Sequence, residues 1–127
     1  MNEVILDASA FLALINKEPG HILVSKVITN SIMSSVNAAE VIAELNCKLD
    51  ISIEDSKKIL ISLTKVVDFT YNNSIVAGGL KKETSHLGLS LGDRACLSLG
   101  LALKLPVYTA DKIWDKVNCG VEIIVIR

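Results

Sequence analysis

Short apolar runs without polar interruption recur along this chain, and each hands over within a few residues to a segment of helical periodicity. Val4-Ile5-Leu6 precedes Ala8 to Lys17, where Phe11, Leu12, Leu14 and Ile15 repeat at helical spacing until Pro19-Gly20 ends the segment. A strand that is apolar at consecutive positions must be covered on both faces, as in a parallel sheet sandwiched by helices. This alternation points to an α/β architecture.

The pattern continues to the end of the chain. His21 to Thr29 reads as a second helix, with Ile22, Leu23, Val27 and Ile28 as its buried face, and Ile32 to Val36 as the second strand. Asn37 opens a helix striped by Val41, Ile42, Leu45 and Leu49, and another begins at Ser52 or Ile53. These two form a helical hairpin whose apolar face packs on its own domain or on a partner chain. Val66 to Phe69 is the third strand, and Asn73 to Thr84 a helix weakened by Gly78-Gly79. Leu91 to Lys104 is apolar nearly all round, which predicts a central, buried helix. Pro106-Val107-Tyr108 and Val121 to Ile126 supply the last strands. The expectation is a single domain over 1–127, a three-layer sandwich with a parallel sheet of four to five short strands.

Composition narrows the function classes. Hydrophobic residues make up 50% of the chain and aromatics 4%, so the core is built from Leu, Ile, Val and Ala. Apolar stretches stop short of the roughly 18 residues of a membrane span. The N-terminus carries Glu3 and Asp7 and no basic residue before Lys17, the wrong charge order for a secretory signal. A cytoplasmic protein without a membrane partner is expected. Cys47, Cys96 and Cys119 form no C-x-x-C pair, and neither His21 nor His86 stands at ligand spacing from them. That argues against zinc and disulfide frameworks and fits a reducing compartment. The net charge of −1 argues at first against a nucleic-acid partner. Neutralising a few acids with a cation would leave a weak basic surplus, compatible with binding phosphate.

Four acids stand at the strand-to-helix handovers: Asp7 after Val4-Ile5-Leu6, Glu40 after Asn37-Ala38-Ala39, Asp93 after Leu91-Gly92, and Asp111 after Tyr108-Thr109-Ala110. In a parallel α/β sheet these turns emerge at the carboxyl ends of the strands, where ligands bind. Carboxylates gathered there repel unless protons or a divalent cation neutralise them, which points to metal-dependent chemistry. A capping role competes with that reading. Asn37-x-x-Glu40 and Ser90-x-x-Asp93 have capping-box spacing, Asp7 and Asp111 suit N-cap positions, and the helix dipole favours acids there by about 0.3–1 kcal/mol. Capping alone does not require the four to converge on one edge.

Other residues are weaker candidates. Ser9 and Thr109 are hydroxyls beside two of the acids, suited to bonding a carboxylate or to local turn capping. Asp115, one turn beyond Asp111, extends the pocket if it faces the same way. Glu44 has Lys48 as its i+4 partner and reads as half of a solvated ion pair. Arg94 and Lys112 each follow one of the four acids and read as surface charges ahead of phosphate contacts, and His86 as a loop or helix-end residue.

Taken in order, Leu6-Asp7-Ala8-Ser9-Ala10, Asn37-Ala38-Ala39-Glu40-Val41, Leu89-Ser90-Leu91-Gly92-Asp93-Arg94-Ala95-Cys96-Leu97 and Tyr108-Thr109-Ala110-Asp111 make the chain resemble the PIN-domain ribonucleases. The closest likeness is to the VapC toxins of toxin–antitoxin pairs, over essentially the whole length. The resemblance implies a PIN-like fold and an acidic quartet of Asp7, Glu40, Asp93 and Asp111 holding Mg²⁺ or Mn²⁺, with Asp7 and Asp93 as the foremost direct ligands. It further implies hydrolysis of RNA phosphodiesters, a homodimer, and a VapB-like antitoxin that covers the site, forms a larger hetero-oligomer and alone contacts DNA. Three alternatives stay open. They are an RNA-processing PIN nuclease outside such a pair, a catalytically silent PIN-like module, and a Mg²⁺-dependent phosphoacceptor domain. The last lacks a suitable acceptor, since Asp68 falls within the third expected strand.

Overall fold

Five short strands, β1 (Val4–Leu6), β2 (Ser31–Ser34), β3 (Lys65–Val67), β4 (Val107–Thr109) and β5 (Ile123–Val125), form one parallel sheet in the computed structural model, which describes residues 2–127. Their order is β3-β2-β1-β4-β5, with Ile5 aligned to Ile32 on one side and to Val107 on the other. Seven α-helices flank the sheet among the described residues: α1 (Ala8–Asn16), α2 (His21–Val27), α3 (Ser35–Leu49), α4 (Ile53–Leu63), α5 (Tyr71–Gly79), α6 (Lys81–Thr84) and α7 (Leu91–Leu103).

The period of two along each strand explains why the apolar runs are continuous. Leu6, Met33 and Tyr108 belong to a core shared with α1 to α4, through Phe11, Val24, Val41, Leu45 and Leu60. Their neighbours Ile5, Ile32 and Val107 belong to a second core on the opposite face, with Leu80, Cys96, Leu97, Leu99 and Trp114. Alternate residues of one strand thus supply two cores, and the three-layer arrangement follows. The chain builds β1, β2 and β3 outward and then returns to place β4 on the other side of β1. That reversal opens a crevice beyond the carboxyl ends of β1 and β4.

Several expected boundaries move for local reasons. The second strand stops at Ser34, whose hydroxyl accepts the Val36 N–H at 3.3 Å, so the helix starts at Ser35 and not at Asn37. The third strand begins and ends earlier than Val66 to Phe69, which leaves Asp68 outside it. The helix expected from Asn73 begins at Tyr71, behind a reciprocal pair of hydrogen bonds between Thr70 and Asn73, and breaks after Gly79. The closing strand is limited to Ile123–Val125. Residues 95–100 of α7 are buried, but Leu91 and Leu103 at its ends are 55% and 44% exposed, so the helix is not enclosed along its whole length. The α3–α4 hairpin packs on its own chain through Val41, Leu45 and Leu60, while Leu49, Ile53 and Ile61 face solvent. No helix among the described residues is long and apolar enough to cross a membrane.

Candidate active site

The chain leaves β1 at Leu6, and the next residue, Asp7, caps α1 by accepting the Ala10 N–H on Oδ1 at 2.8 Å. Ser9 Oγ donates to the same oxygen at 2.7 Å, and Thr109 Oγ1 on β4 donates to Oδ2 at 2.6 Å. The two hydroxyls also accept: Ser9 Oγ takes the Ala110 N–H at 2.9 Å and Thr109 Oγ1 the Asp111 N–H at 3.1 Å. The turns after β1 and β4 are therefore stitched together around one carboxylate. Asp7 is only 4% exposed. Burial pushes its carboxyl up from an ordinary 3.8 to about 6, against the lowering effect of Thr109, Ala10 and Ser9, with the Asp93 charge adding a smaller upward push.

The other three acids arrive from separate elements. Asp93 stands in the first turn of α7 in a reciprocal cap: its N–H donates to Ser90 Oγ at 3.2 Å, and its Oδ2 accepts the Ser90 N–H at 2.9 Å. Asp111 caps the 3-10 turn Lys112–Lys116 by accepting the Ile113 N–H at 3.1 Å. Glu40 lies inside α3, where its Oε1 accepts from Asn37 Nδ2 at 2.8 Å. The expected capping box at Asn37 is not formed, because Ser34 is the cap and Asn37 lies within the helix.

All four acids line one open pocket of about 470 Å³, together with Ser9, Asn37 and Glu44. Among the described residues no Lys, Arg or His lines it. Glu44 makes the expected ion pair with Lys48 at 3.2 Å and also reaches the pocket, an outcome its i+4 spacing from Glu40 made readable. Asp115 does not extend the pocket; it is exposed on the 3-10 turn and is not among the lining residues. Arg94 is not a free surface charge either. It is half-buried, its Nη1 donates to the Ala77 carbonyl at 2.9 Å, and it ties α7 to α5. Lys112 and His86 are exposed. Behind the acids, burial pushes the Cys96 thiol up, aided by the charges of Asp7, Asp93 and Glu40, so it stays neutral.

Five carboxylates facing one cavity, of which only Glu44 has a basic partner, repel one another and attract cations. They are not drawn into a closed ligand set: among the described residues no three His, Cys, Asp or Glu side chains sit close enough to hold an ion. Local donors fix them one by one, the Ser90 N–H on Asp93, the Ile113 N–H on Asp111 and the Asn37 amide on Glu40. The donor chemistry nevertheless fits Mg²⁺ or Mn²⁺, which take oxygen ligands and retain several waters.

The elevated Asp7 pKa has a consequence for stability. The folded state holds this proton more firmly than the unfolded chain, so the contribution is complete below pH 3.8 and is lost as pH rises through about 6. The full displacement is equivalent to at most about 3 kcal/mol. Scanning calorimetry is expected to show Mg²⁺ or Mn²⁺ raising the melting temperature clearly at pH 7.5 and markedly less at pH 5, where Asp7 holds its proton. An equal shift at both values would disconnect Asp7 from the cation.

The PIN-domain family model matches residues 4–118. No curated protein sequence gives a significant match. Among solved structures, a toxin–antitoxin complex from Klebsiella pneumoniae contains a chain that superposes with a TM-score of 0.77 at 14% identity, covering 98% of both chains. A chain of DNA-bound VapBC from Salmonella typhimurium gives 0.74 at 18% identity over 100% of both. The Mycobacterium tuberculosis toxin VapC20, described as cleaving the sarcin–ricin loop, gives 0.75 at 14% identity, covering 94% of this chain and 99% of its own. At these identities the shared property is the fold.

Proposed function

The chain belongs to the PIN-domain family, and from that premise we propose that it is a Mg²⁺- or Mn²⁺-dependent endoribonuclease acting as the toxin of a VapBC-type toxin–antitoxin pair. The observation that carries the proposal is the pocket at the carboxyl edge of the sheet, where Asp7, Glu40, Asp93 and Asp111 meet without a basic side chain. Asp7 and Asp93 are the foremost candidates to hold the cation, with Glu40 and Asp111 completing the acidic wall. When bound, the cation supplies activation of the attacking water and stabilisation of the charge that builds on the phosphate.

The residues of the chain have their own part. Ser9 and Thr109 fix both oxygens of Asp7, and the Ser90 N–H fixes one oxygen of Asp93, so neither carboxylate has to be ordered when substrate arrives. A pocket of uncompensated carboxylates repels a phosphodiester, so RNA binding depends on prior neutralisation of the wall. The solved relatives described as VapBC complexes, two of them with DNA, support a protein antitoxin as partner and DNA contact through it. In this reading the toxin is a homodimer, forms a larger assembly with its antitoxin and works in the cytoplasm.

Purified protein is expected to cut structured RNA with Mg²⁺ or Mn²⁺ and to stop on addition of EDTA. Co-expression with the product of a neighbouring antitoxin gene is expected to abolish both cleavage and growth arrest. Cleavage that continues at full rate in EDTA would remove the metal from the proposal.

A further inference from the structure

Asn37 lines the acidic pocket and belongs to no expected ligand set. Its side chain is 1% exposed. Nδ2 donates twice, to Glu40 Oε1 at 2.8 Å and to the Gly92 carbonyl at 3.0 Å, while Oδ1 is buried with no partner. A buried acceptor without a donor is unfavourable, and an apolar side chain of similar shape would avoid that penalty. Neither acceptor depends on Asn37 for its own satisfaction. Glu40 is exposed to water, and the Gly92 carbonyl lies in the first turn of α7, within reach of the helix's own i+4 N–H. The amide is thus poorly explained as a stabilising group.

Gly92 provides the opposing surface. A Cβ built there would stand 2.5 Å from Glu40 Oε2 and 2.8 Å from its carboxyl carbon, so the Glu40 carboxylate rests against bare backbone beside Asp93. Glu40 is a long, exposed side chain carrying the same charge as Asp93, and electrostatic repulsion favours its swinging into solvent. The bond from the buried Asn37 amide, itself anchored by its second N–H on the Gly92 carbonyl, opposes that motion. An aspartate at position 37 would present an acceptor to both oxygens and repel them.

We infer that Asn37 is a positioning residue, pinning the Glu40 carboxylate against the Gly92 backbone so that acids from α3 and α7 stay side by side for a shared divalent cation. The inference rests on the metal-dependent reading above and names how one wall of that site is held. It assigns separate jobs to neighbouring residues: Asn37 holds, Glu40 is held, and Gly92 leaves the room.

The test combines melting without metal and Mn²⁺ titration calorimetry on the whole chain, for the wild type, N37L, G92A, E40Q and the N37L/E40Q pair. Leu keeps the branch at Cγ and removes the unpaired oxygen. N37L is expected to melt close to the wild type and to bind Mn²⁺ about tenfold more weakly, the range seen when the partners of metal-ligating groups are removed. G92A is expected to lose affinity similarly, although replacing a helical glycine favours the helix itself. In the E40Q background, N37L is expected to have little further effect, since the two act through one contact. Wild-type affinity in N37L overturns the inference, as does an equal loss from N37L with and without Glu40. If N37L fails to fold, unchanged Mn²⁺ affinity in G92A overturns it instead. A wild type that binds no Mn²⁺ overturns the metal reading itself, before any substitution is considered.

Discussion

Asp7→Asn is expected to lower divalent-dependent RNA cleavage by at least about two to three orders of magnitude, while leaving the metal-free protein at pH 7.5 as stable as the parent or more so. The combination follows from one carboxylate being both buried and indispensable in the proposed chemistry. Its charge is disfavoured by desolvation, which lifts its pKa to about 6. An amide removes that charge and still offers one oxygen to the Ala10 N–H and Ser9 hydroxyl that now share Oδ1. Its nitrogen can donate to Thr109 Oγ1 if that hydroxyl rotates. The variant should also lose the part of its pH-dependent stability that depends on this group between pH 4 and 7. Cleavage assays with Mn²⁺ and paired melting curves check both halves. Retained cleavage would remove Asp7 from the proposed active site, and a large loss of stability would show that the carboxylate serves mainly as a cap.

Asp93 separates capping from chemistry more sharply. Asp93→Asn and Asp93→Ala are both expected to abolish cleavage and to relieve the growth arrest caused by expressing the protein without an antitoxin. Their stabilities should differ. Asn still accepts the Ser90 N–H that Oδ2 accepts at 2.9 Å, whereas Ala leaves that half of the reciprocal cap unmade. The expected gap is about 1 kcal/mol in favour of Asn, readable by urea denaturation. Equal growth arrest by the wild type and Asp93→Asn would mean that toxicity does not pass through this pocket. A merely structural Asp93 would give an active Asn variant and a weakened Ala variant.

Capping and pocket membership, which compete as explanations at the level of sequence, coincide in the molecule. Asp7, Asp93 and Asp111 each accept a backbone N–H at the start of a helical turn, and each also lines the cavity. Parallel α/β geometry brings this about, because helix N-termini and strand carboxyl ends share one edge of the sheet. Glu40 differs. It reaches the same cavity from within α3, held by Asn37 in place of a cap.

Much of the architecture is written locally, as period and punctuation. The continuous run Val4-Ile5-Leu6 already requires cover on both faces, and Ser90-x-x-Asp93 already spells the start of α7. Boundaries were harder to read where a small polar residue competed for the cap. Ser34 took the position expected of Asn37, and Thr70 began α5 ahead of Asn73.

By itself the sequence determined the class of fold and singled out the candidate acids, since both depend on residue type and on spacing of a few positions. Only the tertiary structure decided which acids share a cavity, that Asp7 is buried, that Asp115 is not among the lining residues and that Asn37 reaches Gly92. The reason is separation along the chain. The Thr109–Asp7 bond joins residues 102 apart and the Asn37–Gly92 bond residues 55 apart, and both depend on a strand order that local sequence does not encode.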